Sequence, residues 1–113
     1  MKEFKSANMK NKTRKVSQLI GNTVKSIDKN AEVILFGSRA RGDEKKDSDW
    51  DILILTDSNL DFQKESNFRD YLYNLELETG ESLSFFFYTK EDWKNKQNYS
   101  PFHLNVAHEG IKL

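Results

Sequence analysis

Apolar residues at Val16, Leu19, Ile20, Val24 and Ile27 recur at intervals of three and four, the spacing of one helical face. Gly21 weakens that helix by about 1 kcal/mol relative to alanine, so it needs tertiary packing, and Asp28-Lys29-Asn30 ends it. Val33 to Phe36 is a short continuous apolar run stopped by Gly37, the mark of a buried strand entering a turn. Arg39 to Asp49 is charged and without apolar period, and Trp50 to Thr56 is a second strand. Ser58 and Asp61 have the spacing of a capping box. Phe68, Tyr71, Leu72 and Leu75 mark a second amphipathic helix, ended by Gly80. Leu83 to Tyr88 is a third strand. Thr89 and Asp92 suit a cap for a short helix carrying Trp93. Ser100-Pro101 opens a last helix with Phe102 and Val106 on one face, ending at Gly110.

The order helix, strand, strand, helix, strand, helix, helix predicts an α/β (α+β) fold, one sheet with helices packed on it. The 113 residues suffice for one core, so a single domain over 1–113 is expected, with residues 1–12 as a frayed lead-in. Balanced charge, 18 basic against 18 acidic residues, argues against a nucleic-acid or membrane-surface partner. There is no cysteine, which excludes disulfides and thiolate metal sites. No apolar run suits a membrane span or secretory signal, so a cytoplasmic location is expected.

The chemistry concentrates between Gly37 and Asp51. Asp49 and Asp51 are two apart at a strand start, so both carboxylates face one way, with Cα atoms about 6.6 Å apart. Such a pair, leaving positions for water and phosphate oxygens, suits Mg²⁺. Trp50, Ile52 and Ile54 then enter the core, while Leu53 and Leu55 share the acidic face where a helix can cover them. Gly37 lets the backbone turn and approach a ligand closely. Ser38 opens a short turn through Arg41, ended by Gly42, whose free N–H groups suit phosphates. Arg39 and Arg41 can add charge there.

Gly37-Ser38, ten residues, then Asp49-Trp50-Asp51 resembles the GSx10DxD signature of the DNA polymerase β-like nucleotidyltransferase superfamily. With Arg39, Arg41, Gly42 and Ser48, the segment resembles the minimal nucleotidyltransferases of bacteria and archaea. The resemblance implies a small mixed β-sheet flanked by helices. It also implies Mg²⁺-dependent transfer of a nucleoside monophosphate from a nucleoside triphosphate, ATP foremost, to an acceptor on a partner protein. Asp49 and Asp51 would be the catalytic metal ligands, and Gly37, Ser38 and Arg39 the nucleotide-binding residues. A helical HEPN-domain protein is the implied partner, in an antitoxin-like role; self-association stays open.

The sequence departs from that pattern at one position. Active members carry a third carboxylate on the next strand, where alignment from Tyr88-Thr89 places Ser84. Serine is a poor magnesium ligand, which weakens acceptor activation more than nucleotide binding. The alternative is therefore a binding module that sequesters the HEPN-type partner with reduced or lost catalysis. Glu81 is an odd number of residues from Ser84, so a regular strand aims it the other way. Phe85 to Phe87 read as packing in preference to a base-stacking platform, and His103 and His108 as surface or cap residues. The basic cluster of Lys10, Lys12, Arg14 and Lys15 reads as a solvated helix face.

Overall fold

The computed structural model describes residues 1–96 and 100–113. In chain order its elements are β1 (Lys2–Glu3), α1 (Asn11–Ile27), β2 (Glu32–Phe36), α2 (Ser38–Arg41) and β3 (Trp50–Thr56). There follow α3 (Phe62–Thr79), β4 (Leu83–Thr89), α4 (Lys90–Lys96), α5 (Pro101–Glu109) and β5 (Ile111–Lys112). The strands form one five-stranded mixed sheet in the order β1-β5-β2-β3-β4. β2 pairs antiparallel with β3, and β3 pairs parallel with β4, with α3 as the crossover.

Alternation across the strands explains the apolar runs, because both faces of the sheet are covered. Val33 and Leu35 of β2 join Trp50, Ile52 and Ile54 of β3 beneath α1 and α3. There they meet Val16, Ile20, Val24, Phe68, Leu72 and Leu75. Ile34 and Phe36 take the opposite face with Leu53 and Leu55, covered by Trp93 of α4 and Val106 of α5. Leu53 is fully buried, and truncating such a leucine to alanine costs about 2–5 kcal/mol. The helix expected over the far end of the acidic face is thus α4 together with α5.

Three local expectations shift. Leu19 is 41% and Tyr71 53% exposed. Each lies one residue from a fully buried neighbour, Ile20 and Leu72, and one residue is about 100° of helix rotation. Ser58 does not cap α3. Asp61 does, accepting from the Lys64 N–H at 2.7 Å, while the Ser58 carbonyl accepts from the Thr56 hydroxyl. The caps at Thr89 and Ser100 form as expected, accepting from the N–H groups of Asp92 and His103.

β1 and β5 have no sequence signature, being two residues each and partly charged. They pair in parallel with each other, and β5 pairs antiparallel with β2. The basic cluster after β1 is largely engaged. Arg14 donates to the Phe4 and Ala7 carbonyls, Lys10 pairs with Glu44, and Lys12 with Glu81. No helix among the described residues is long and apolar enough to cross a membrane.

Candidate active site

β2 ends at Phe36, and Gly37 takes φ 77° and ψ −161°, a conformation open to glycine and costly for other residues. The chain enters the single turn of α2, where the N–H groups of Ala40 and Arg41 donate to the Gly37 carbonyl at 3.0 Å. Gly42, at φ 86°, closes the turn.

The β2–β3 register sets Asp51 opposite Phe36. Its carboxylate therefore lies against Gly37, and a Cβ on Gly37 would stand 3.1 Å from Asp51 Cγ. Asp49, just before β3, is exposed; Asp51 is half-buried. The Asp51 carboxyl is held above the ordinary carboxylate range, first by burial, then by the charges of Asp49 and Glu109, with Arg41 opposing. The two aspartates thus share one electrostatic neighbourhood beside the turn.

The two arginines of α2 part company. Arg39 is 5% exposed. Its guanidinium donates to the carbonyls of Ser48 and Lys46 and lies 4.6 Å over the Trp50 ring. It braces the loop leading to Asp49 and is turned away from the Gly37 turn. In the same loop the Lys45 N–H donates to the Ser48 hydroxyl at 2.9 Å. Arg41 instead reaches the site, 46% exposed, with contacts to Asp43 and Glu109.

Glu109, the last residue of α5, escaped the sequence reading. Its Oε2 accepts from the Gly37 N–H and from Arg41 Nη1, each at 2.7 Å. No local spacing announces it. The link is made by β5, whose pairing of Ile111 with Leu35, carried two residues on, brings Glu109 opposite Gly37.

On the other side of Asp51, β4 places Ser84 directly opposite in the parallel register. The Ser84 hydroxyl donates to Asp49 Oδ2 at 3.5 Å. Glu81 faces elsewhere and is held by Lys12, whose ammonium keeps its carboxyl below the usual range. No group of three or more His, Cys, Asp or Glu side chains at metal-holding geometry occurs among the described residues. Asp49 and Asp51 are still a chemical fit for a divalent cation. Burial first, then the neighbouring charge of Asp49, disfavours the Asp51 carboxylate, and a cation would relieve both.

The aromatic run of β4 divides between the faces. Phe85 and Phe87 pack against the α1–α3 core. Phe86, 42% exposed, contacts Phe36 and Phe102 on the face that bears Asp51 and Ser84. His103 packs its ring on Trp93 at 4.6 Å between centroids, and His108 is exposed.

The family model described as a nucleotidyltransferase domain matches residues 18–106. The chain is also 39% identical over 82 residues to a Methanocaldococcus jannaschii protein named "Putative protein adenylyltransferase", covering 73% of this chain and 76% of that protein.

Proposed function

We propose that this chain, which belongs to the nucleotidyltransferase domain family, transfers a nucleoside monophosphate from a nucleoside triphosphate to a hydroxyl on a partner protein. The observation that carries this reading is the Asp51 carboxylate seated against the Gly37 turn, with Asp49 beside it. ATP is the favoured donor, because the archaeal relative's name specifies adenylyl transfer to protein.

Asp49 and Asp51 would hold Mg²⁺, which when bound neutralises phosphate charge and favours in-line displacement. Gly37, whose own N–H is taken by Glu109, lets the backbone approach the phosphates closely; Ser38 offers backbone and hydroxyl donors for their oxygens, and Arg41 adds positive charge at the same edge. In the transfer, the acceptor oxygen bonds to the α-phosphorus, the bond to the bridging oxygen breaks, and pyrophosphate leaves. The hydroxyl proton needs an acceptor. With serine at position 84, this chain offers no carboxylate on β4 opposite Asp51 for that task.

That same substitution favours a second reading, a binding module that sequesters a helical HEPN-type partner in an antitoxin-like role with catalysis reduced. Phe62, Leu77 and Tyr73 of α3 are 86%, 67% and 58% exposed, apolar surface suited to a partner. Purified chain, Mg²⁺, labelled ATP and the product of a neighbouring HEPN-type gene discriminate the two. Catalysis requires label on the partner that Asp49→Asn with Asp51→Asn abolishes. Label persisting in that double variant would sink the metal assignment. Binding and neutralisation without label in the wild type would favour the module.

A further inference from the structure

Glu109 places an anion where the proposed site needs positive charge, so its role requires explanation. We propose that Glu109 is a positioning residue that sets Arg41 and the Gly37 turn for the nucleotide's phosphates; this rests on the nucleoside triphosphate reading above.

The anchoring is close. The Glu109 side chain is only 13% exposed, and one oxygen, Oε2, takes both the Gly37 N–H and Arg41 Nη1. Gly110 seats the end of α5 closely on β2, since a Cβ there would stand 3.0 Å from Ile34 Cγ2. The Gly110 N–H donates to the Val106 carbonyl, and its own carbonyl accepts from Lys2. The carboxylate is thus fixed by the sheet as well as by its helix.

Arg41 is the more exposed member. A half-exposed arginine loses considerable side-chain freedom when it binds a phosphate. Here its Nε is held by Asp43 at 3.2 Å and its Nη1 by Glu109 at 2.7 Å. A guanidinium has five N–H donors, so these contacts leave donors for a phosphate. The Asp51 carboxylate lies against the same Gly37 turn that Glu109 ties to Arg41. Glu109 therefore holds a cation beside the carboxylate pair in advance of the ligand, and it keeps the Gly37 amide in its turn. Preorganisation of this kind appears as affinity.

The test is calorimetric titration with Mg·ATP of wild type, E109A, E109Q, R41A and E109A/R41A, each also melted thermally. Removing the charged acceptor in E109A should weaken binding about tenfold. E109Q, which keeps a neutral acceptor, should lie between E109A and wild type. The double variant should bind no more than about threefold worse than R41A alone, because Glu109 acts chiefly through Arg41. A purely structural role lowers the melting temperature without that non-additivity, and would overturn the proposal. So would E109A binding as well as wild type, or tighter, the latter marking Glu109 as a competing anion. If folded wild type does not bind Mg·ATP at all, the triphosphate reading itself falls, and Glu109's role with it.

Discussion

The carboxylate of Asp51 occupies the space that a side chain on Gly37 would need. Gly37→Ala therefore carries two penalties, a glycine-only backbone conformation costing about 1–3 kcal/mol and a displaced Asp51. We expect Gly37→Ala to reduce nucleotidyl transfer at least tenfold. Gly42→Ala is the matched comparison, since its φ of 86° is also strained but nothing lies within 4 Å of the added carbon. It should cost about 1–2 kcal/mol in denaturant unfolding and retain most activity. Equal activity losses in the two variants would mean that strain, not the Asp51 contact, governs the site.

Ser84 stands across the parallel register from Asp51. Ser84→Asp adds a third carboxylate to that edge, which should raise the transfer rate about tenfold by supplying a proton acceptor and metal ligand. Without Mg²⁺ the added charge should lower the melting temperature, and Mg²⁺ should restore it. An unchanged rate would assign the missing function to some other group.

Burial, then the Asp49 charge, raises the Asp51 carboxyl above the ordinary carboxylate range. Ionising such a group costs the folded state more than the unfolded one. The cost begins as pH climbs through the unfolded value and is complete above the raised folded value. Asp51→Asn removes it. Because the group is partly solvated and screened, the melting temperature should rise by only about 3 °C at pH 7. That gap should close as pH falls below the ordinary carboxylate range. A gap independent of pH would contradict the electrostatic account.

Arg39→Ala should destabilise the fold by about 2 kcal/mol, since the Ser48 and Lys46 carbonyls lose their donor and Trp50 its stacked cation. Arg39→Lys should recover little, because an ammonium lacks the planar fork and face. Urea unfolding measures both. Unchanged stability with weakened Mg·ATP binding would instead assign Arg39 to the phosphates.

Apolar period was enough to read the central strands and the long helices, because Val33 to Phe36 and Ile52 to Leu55 are covered on both faces. The glycine turn and the aspartate pair were legible too, since glycine stereochemistry and strand alternation are local rules. The division of labour between Arg39 and Arg41 was not. Both arginines of one short turn carry the same charge, and only the 46–48 loop and the end of α5 decide their partners. Glu109 and the two short outer strands were hidden for a related reason. A two-residue strand has no period to read, and its pairing is decided by distant chain.

That distance bears on how the molecule acquires its shape. The β3–α3–β4 unit closes over a short stretch of sequence, whereas the Gly37–Glu109 contact joins residues 72 apart. Contacts of large separation pay their loop-closure entropy before they are rewarded, and so tend to form late. The turn facing the proposed nucleotide would then be the last part of the sheet's rim to become native, and among the first to open. Amide exchange at Gly37 should accordingly track opening of β5 from β2 and be faster than exchange in β3.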